Sequence, residues 1–270
     1  MLIRAASQSD VGQVREQNED SLLVREDLGL FVVADGMGGH VGGKMASSLA
    51  VETIATQLAA CVDQLDEPPQ TSLDASVVPR LLANAVRAAC STIYERAQAE
   101  PALHGMGTTV TALLIHHERA FIAHVGDSRC YVQRGERIMQ VTDDHSLVNE
   151  QIKAGLLSRE QARQSRLKNI ITRSVGFERD VAVDTFTLAI RPDDRFLLCS
   201  DGLINMVDDQ EIGATLAAHS LDTVPQRLVE MANARGGDDN ITVVCVQSCA
   251  QAAAPSDASP PPATEVKGGQ

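Results

Sequence analysis

The stretch GTTVTALLIHHERAFIAHVGDSRCYVQRGERIMQV, from Gly107 to Val141, decides the fold class of this chain. Its residues follow the period of β-strands in successive segments, TTVTALLI, AFIAHVG, RCYVQR and RIMQV. Short polar turns at His116–Arg119 and Arg134–Glu136 separate these segments. Turns of this length join strands that are antiparallel neighbours. The stretch therefore predicts an antiparallel meander.

Helices and further strands flank this meander in blocks. Apolar residues at helical spacing predict two amphipathic helices, with the stripes Val51, Ile54, Ala55, Leu58, Val62 and Leu82, Ala85, Val86, Ala89, Ile93. A loop at Pro68–Pro69 separates the two helices. Further strands are expected at Ser21–Val24, Leu30–Ala34, Val181–Leu188, Arg195–Ser200 and Ile241–Val246, and further helices near Leu147–Ala154, Ile212–Ala217 and Val224–Met231. Runs of strands beside helix pairs, without strict βαβ alternation, indicate an α+β fold.

The composition is that of a globular protein. Hydrophobic residues make up 44% of the 270 residues and charged residues 22%, which excludes a mainly disordered chain. The formal net charge of −13 disfavours binding to nucleic acid and to anionic membranes, because both attract Lys and Arg. No apolar run reaches the ~18 residues of a membrane span. The first residues lack the apolar segment of a secretory signal, so we expect a cytoplasmic protein.

The C-terminal segment differs from the rest of the chain. From Gln251 to Gln270 it is rich in Ala, Pro and Ser and nearly free of large apolar side chains, so it cannot offset the entropy lost on ordering. We therefore expect one folded domain over residues 1–249 and a disordered tail over residues 250–270.

Acidic residues stand at the ends of the predicted strands. A lone aspartate in such a place usually only starts a turn, but here glycines accompany several of them and allow close approach of the backbone to a ligand. In an antiparallel sheet the start of one strand lies beside the end of its neighbour, so these positions can converge on one rim. Oxygen ligands without His or Cys favour Mg²⁺ or Mn²⁺ over zinc. The residues concerned are Glu19, Asp20, Asp35, Asp127, Asp201 and Asp239.

These residues belong to short motifs whose joint order and spacing are far more specific than any one of them. The motifs are REQNED (Arg15–Asp20), DGMGGH (Asp35–His40), GTT (Gly107–Thr109), GDSR (Gly126–Arg129), DH (Asp144–His145), SDG (Ser200–Gly202) and GGDDN (Gly236–Asn240). In this order the chain resembles the bacterial members of the metal-dependent serine/threonine protein phosphatases, the PPM or type 2C family. The resemblance covers about residues 3–247 and implies a four-layer αββα sandwich, in which pairs of helices flank two antiparallel β-sheets.

The resemblance also implies a set of metal ligands for two or three Mg²⁺ or Mn²⁺ ions. Asp35 would bridge two ions, and the backbone carbonyl of Gly36 would bind one of them. Asp201 and Asp239 would complete the coordination of the first ion. Asp127 would bind a third, weaker ion together with Asp201.

Other motif residues would act beside the ions. Glu19 and Asp20 would orient water on the metals, and Arg15 would clamp the phosphate group. Asn240 would brace its loop without touching metal. Many eukaryotic relatives carry a histidine, the proposed general acid, where this chain has Met37, whose thioether cannot donate a proton. His40 follows three residues later in the chain.

The activity implied by the resemblance is hydrolysis of phosphoserine and phosphothreonine in proteins by a metal-activated water. The partners would be phosphoproteins and a cognate bacterial Ser/Thr kinase whose action the enzyme reverses, and we expect a monomer. The polar segment from His145 to Gly176 would form the flap that the family places beside its active site, where it influences the choice of substrate.

Two other functions compete with this interpretation. A P-loop nucleotide hydrolase is suggested by Gly38-x4-Gly43-Lys44, but the next residue is Met45, which has no hydroxyl for Mg²⁺. A phosphoprotein-binding module without activity could use the same fold, but every acidic position needed for metal is present. Cys90 and Arg96 have the spacing of a cysteine phosphatase, yet they lie within a predicted helix.

Overall fold

The computed structural model describes residues 2–61, 77–163 and 165–249. The predicted loop at Pro68–Pro69, the last residue of the first helical stripe, Val62, and the predicted tail over residues 250–270 lie outside the described residues. The division into a domain and a tail therefore stays a prediction.

Two five-stranded antiparallel sheets form the centre of the molecule. The strands are β1 Leu2–Asp10, β2 Ser21–Arg25, β3 Leu30–Ala34, β4 Gly36–Met37, β5 Gly107–Thr108, β6 Val110–His116, β7 Arg119–Val125, β8 Arg129–Arg134, β9 Arg137–Gln140, β10 Asp184–Ala189, β11 Arg195–Cys199 and β12 Ile241–Cys249. The first sheet has the order β1-β12-β11-β8-β9 and the second the order β10-β7-β6-β3-β2, while β4 and β5 pair separately.

The predicted meander is wrong as a single sheet, although all of its strands exist. The β6–β7 hairpin belongs to the second sheet and the β8–β9 hairpin to the first. The chain crosses between the sheets at Gly126–Ser128, where Gly126 has a φ of 112° that favours glycine. Because the strand period is the same in both sheets, the sequence pattern does not reveal this crossing.

Helices cover the outer faces of both sheets. The helices of the described residues are α1 His40–Ala59, α2 Val77–Ala99, α3 Leu147–Lys153, α4 Arg159–Arg163, α5 Asp201–Ile204, α6 Asp209–Ala218 and α7 Val224–Ala234, with a 3₁₀ turn at Pro101–Leu103. Helices α1 and α2 pack on the second sheet and α5, α6 and α7 on the first, whereas α3 and α4 lie in the segment between β9 and β10. Both predicted stripes, as far as the structure describes them, face the core of the second sheet. A capping box between Asp208 and Glu211 starts α6, as the residue types at these two positions favour.

Apolar layers hold these elements together. Between the sheets, Phe31 and Ile122 of the second sheet pack with Phe196 and Val244 of the first. A second apolar cluster lies between α1, α2 and the second sheet, and a third lies between α5, α6, α7 and the first sheet. The predicted four-layer αββα sandwich is therefore the observed architecture.

The N-terminal strand β1 was not predicted from the sequence. Its residues alternate only weakly in hydrophobicity and are mostly exposed or half-buried. It is held at the edge of the first sheet by an antiparallel ladder with β12 that runs from Leu2–Cys249 to Asp10–Ile241. This partner lies more than 200 residues away in the chain, and β12 extends to Cys249, beyond the predicted end at Val246. Strand β10 begins at Asp184, three residues after the predicted start.

Among the helices that the structure describes, none combines the length and apolar character needed to cross a membrane.

Candidate functional site

The acidic positions meet at one end of the sandwich and come from both sheets. Asp20 directly precedes β2, Asp35 follows β3 and Asp127 lies in the crossing after β7. Asp201 begins α5 just after β11, and Asp239 lies just before β12. The rim that was expected to belong to one sheet is thus shared by two, because the predicted meander is divided between them.

These carboxylates are close enough to raise one another's pKa. Burial raises the pKa of Asp35 well above its ordinary value, and the charges of Asp20, Asp201, Asp127 and Asp239 raise it further. Burial also raises the pKa of Asp127 well above its ordinary value, and the charge of Asp201 raises it further. Burial is also the main cause that raises the pKa values of Asp20 and Asp201 to about 6 each. Carboxylates brought together in this way require protons or cations to offset their repulsion.

Two buried carboxylate oxygens in this group have no hydrogen-bond partner, Oδ1 of Asp20 and Oδ1 of Asp201. An unpaired buried acceptor of this kind is costly unless a cation or a donor meets it. The donor set is made of oxygen atoms alone, which fits Mg²⁺ or Mn²⁺. Within the described residues, no group of three or more His, Cys, Asp or Glu side chains has an arrangement that could hold a metal ion as it stands.

The GTT motif holds the backbone of Asp35 in place. The amide of Asp35 donates to Thr109 Oγ1 at 2.9 Å, and the Asp35 carbonyl accepts from the Thr109 amide and from Thr108 Oγ1, each at 2.8 Å. Thr109 Oγ1 also lies 2.8 Å from Ser128 Oγ, beside Asp127. The two threonines, which carried no role in the sequence analysis, therefore join the Asp35 turn to the Asp127 turn.

Two further side chains contact the acidic group directly, although no role was predicted for them from the sequence. Ser200 Oγ donates to Asp20 Oδ2 at 2.8 Å, and Asn205 Nδ2 donates to Asp201 Oδ2 at 3.1 Å. Ser200 lies in the SDG motif, so its position was visible in the sequence, but its partner lies 180 residues away. Asn205 stands four residues after Asp201, the spacing that places two side chains on one face of a helix.

Arg15 and Asp239, predicted as phosphate clamp and metal ligand, form an ion pair at 2.8 Å. The Arg15 side chain is 53% exposed, whereas that of Asp239 is 27% exposed. Asn240 braces the loop that carries Arg15. Its Nδ2 donates to Val11 O and Gln17 O, each at 2.9 Å, and its Oδ1 accepts from the Glu19 amide at 2.8 Å. The expectation that Asn240 braces its loop agrees with these contacts.

Glu19 and Gly36 lie beside the first turns of α1. A Cβ built at Gly36 would collide with the carbonyl oxygen of Gly43 and lie 2.6 Å from that of Glu19, so only glycine fits there. A Cβ built at Gly43 would collide with the Glu19 carboxylate. Gly43 thus leaves room for the Glu19 side chain, and Gly36 leaves room for the backbone carbonyls of Gly43 and Glu19. The side chain of His40, which follows Met37 by three residues, lies outside the described part of the structure.

Residues 11–241 match the family model described as Protein phosphatase 2C. The chain belongs to the protein phosphatase 2C family.

Curated relatives of the phosphatase carry the same activity in their names. The chain is 37% identical to the serine/threonine phosphatase stp of Listeria welshimeri over 251 residues, which cover 91% of this chain and 96% of the relative. It is 40% identical to the protein phosphatase PhpP of Streptococcus pneumoniae over 243 residues, which cover 88% of this chain and 94% of the relative.

Solved structures agree with these relatives. The serine/threonine phosphatase PstP/Ppp of Mycobacterium tuberculosis superposes with a TM-score of 0.82 at 35% identity, covering 93% of this chain and all of that one. A catalytic domain of PstP in complex with two manganese ions has a TM-score of 0.79 at 36% identity, covering 92% of this chain and 99% of that one. The protein is therefore a metal-dependent serine/threonine protein phosphatase, and the predicted family, fold class and enzyme class are confirmed.

The competing motifs have other roles in the phosphatase. Lys44 Nζ donates to the Asp20 carbonyl at 2.6 Å and to Ser21 Oγ at 3.1 Å, so the P-loop-like lysine holds the acidic loop instead of facing a phosphate cradle. Cys90 lies within α2 and its thiol donates to Glu178 O at 3.1 Å. Neither arrangement favours a nucleotide hydrolase or a cysteine phosphatase.

A cavity of about 380 Å³ opens beside the acidic group. Asp127 and Asp201 line one part of it, and Ser146, Val148 and Lys168 of the predicted flap line another. A substrate bound at the carboxylates would therefore lie next to the flap.

Proposed function

We propose that the acidic end of the sandwich binds two or three Mg²⁺ or Mn²⁺ ions and hydrolyses phosphoserine and phosphothreonine side chains of proteins there. One observation carries this proposal: buried carboxylates from both sheets raise one another's pKa, and two of their oxygens, on Asp20 and Asp201, lack any partner. Such a group is stable only when cations or protons neutralise it. The two manganese ions of the related PstP catalytic domain support the same view.

The resemblance to the family suggests the ligands. Asp35, the carbonyl of Gly36, Asp201 and Asp239 would hold two ions, and Asp127 with Asp201 would hold a third. When bound, divalent ions supply positive charge and lower the pKa of water enough to make hydroxide available near neutral pH.

The protein's own side chains perform the remaining steps. Asp20 and Glu19 would accept hydrogen bonds from water and orient it, and Asp20 Oδ1 is free to do so. Arg15 would exchange Asp239 for a phosphate oxygen, because its side chain is half exposed and a guanidinium binds phosphate through several N–H groups. Water oriented in this way would attack the phosphorus in line with the leaving oxygen, so the reaction needs no covalent enzyme intermediate. Met37 has no proton to give, so the leaving alkoxide would take its proton from water.

We further propose that the phosphatase reverses the action of a bacterial Ser/Thr kinase, acts in the cytoplasm and works as a monomer. The flap from His145 to Gly176 would contact the substrate protein, because the cavity beside the metal ligands is lined by flap residues.

The test is turnover of phosphothreonine peptides by purified protein, with Mn²⁺, with Mg²⁺ and with EDTA. Activity should vanish with chelator and return with either ion. Asp35→Asn, Asp201→Asn and Asp239→Asn should each lose several orders of magnitude, since each removes a charge from a metal ligand. Asp222→Asn serves as a matched control, because that exposed carboxylate pairs only with Arg4 among the described contacts.

Two outcomes would contradict the proposal. One is full turnover in excess EDTA. The other is an Asp35→Asn enzyme as active as Asp222→Asn. For the third ion, Asp127→Ala should keep the two tighter Mn²⁺ sites and still lose turnover, whereas parental metal content and activity would remove Asp127 from the ligand set.

A further inference from the structure

His145 lies at the point where the Asp127 turn, the flap and strand β10 meet. In the sequence it belongs to the DH motif and is the first residue of the predicted flap. The residue is 8% exposed, and its ring packs 4.8 Å from the ring of His124. His124 is itself fully buried and is held by Thr111 Oγ1 and Asp143 O.

His145 contacts Gly126 twice. Its backbone amide donates to the Gly126 carbonyl at 2.7 Å, and its Nδ1 accepts from the Gly126 amide at 3.0 Å. Gly126 has a φ of 112°, and a Cβ there would lie 2.6 Å from Thr109 Cβ, so the turn is closely packed on its other side. The residue that follows Gly126 is Asp127. Fixing both polar groups of Gly126 therefore fixes the direction in which the Asp127 side chain leaves the turn.

The other side of the imidazole is also specified. Nε2 lies 3.1 Å from Asp184 Oδ2 and 3.1 Å from Arg173 Nη1, which itself donates to Asp184 Oδ1 at 2.8 Å. Because Nδ1 accepts a hydrogen bond from an amide, it carries no proton, so the neutral ring must carry its proton on Nε2. Of the two neighbours of Nε2, only the Asp184 carboxylate can accept that proton, since a guanidinium has no acceptor. The Asp184 carboxylate thus selects the tautomer that can hold Gly126.

Both ends of the flap are joined to the same residue. The Thr172 amide donates to the His145 carbonyl at 2.8 Å, and Ser146 and Ile171 form the next antiparallel bridge. The Leu147 amide donates to Ile170 O at 2.8 Å one step further on. His145 is therefore the base from which the two stems of the flap leave the sandwich.

We propose that His145 is a positioning residue, which sets the Asp127 turn through its Nδ1 and ties that turn to the base of the flap. The inference deepens the proposed function, because it assigns the residue that aligns the ligand of the third ion. Side chains that orient a metal ligand typically contribute 10–100-fold to metal affinity or activity.

Two substitutions separate this role from ordinary packing. In His145→Asn, the amide oxygen takes nearly the place of Nδ1 and can accept from Gly126, but the side chain no longer reaches Asp184. In His145→Gln, the amide lies nearer the place of Nε2 and the acceptor for Gly126 is lost. Both replacements remove the ring, so a role in packing alone would affect them alike.

The first measurement is hydrogen exchange of the Gly126 amide in EDTA, which requires neither metal nor turnover. We expect His145→Asn to keep the amide protected and His145→Gln to exchange it at least about tenfold faster. The second measurement is titration with Mn²⁺ by calorimetry. The Kd of the weakest site should stay within about threefold of the parent value in His145→Asn and rise about tenfold or more in His145→Gln. The kcat for a phosphopeptide should follow the same order.

Equal exchange and equal Mn²⁺ affinity in the two variants would overturn the proposal. If His145→Gln does not fold, Asp184→Ala replaces it: this half-exposed carboxylate selects the tautomer, so its loss should also accelerate exchange at Gly126, and unchanged exchange would overturn the proposal. Should the parent protein bind no Mn²⁺ at all, the proposed function fails while the exchange measurement still decides the role of His145.

Discussion

Replacing Asn240 by alanine removes three hydrogen bonds that hold the loop carrying Arg15. The side chain donates to Val11 O and Gln17 O and accepts from the Glu19 amide, and the residue is 5% exposed. These partners are backbone groups at both ends of the loop. Alanine at position 240 supplies no substitute, so the loop must open to water or leave the groups unpaired.

The expected loss of stability follows from these bonds. A hydrogen bond of this type contributes about 1 kcal/mol net, so the three together contribute about 3 kcal/mol. For a domain of this size such a loss lowers the melting temperature by about 6 to 12 °C. The loop carrying Arg15 should also become more mobile, which should raise KM for a phosphopeptide more than it lowers kcat.

Urea unfolding in EDTA measures this loss without any contribution from bound metal. Asn233→Ala is the matched control, because the Asn233 side chain donates only to Asp10 Oδ1 among the described contacts and should lose about 1 kcal/mol. If Asn240→Ala loses no more stability than Asn233→Ala, the bracing role inferred from the three bonds is wrong.

The remaining predictions concern the acidic group, a buried histidine and the C-terminal segment. Asp201→Asn should raise the melting temperature in EDTA while it abolishes turnover, because it removes one of several mutually repelling buried charges; a lower melting temperature would contradict this. Burial lowers the pKa of His124 to about 3, so the unfolded chain binds one more proton between about pH 6.5 and 3. The stability that depends on neutral His124 is complete above about pH 6.5 and is lost as the pH falls towards 3. His124→Gln should therefore flatten the pH dependence of the unfolding free energy between about pH 6 and 4.5 by up to about 1.4 kcal/mol per pH unit, and an unchanged slope would count against the assignment. Deleting residues 252–270 should leave the melting temperature and peptide kinetics unchanged, whereas a drop of several degrees would show that this segment packs on the domain.

Local patterns in the sequence predicted much of the fold. The stripes from Val51 to Leu58 and from Leu82 to Ile93 lie on helices as expected, and β3 has the predicted bounds, Leu30–Ala34. These patterns work because the period of apolar residues records which face of a helix or strand is buried. The order of the motifs also predicted the family, since each motif keeps its place relative to the strand that precedes or follows it.

The contacts between distant segments were decided only by the tertiary structure. The meander divides between two sheets, β1 finds its partner at the other end of the chain, and Arg15 pairs with Asp239. The Asp144–His145 motif was visible in the sequence, but nothing in it indicated that His145 holds Gly126. The sequence by itself determined which residues are apolar, which carry carboxylates and where most of the strands turn. It did not determine which of these turns meet, because a strand has the same period in either sheet and a hydrogen bond depends on the packing of the whole domain.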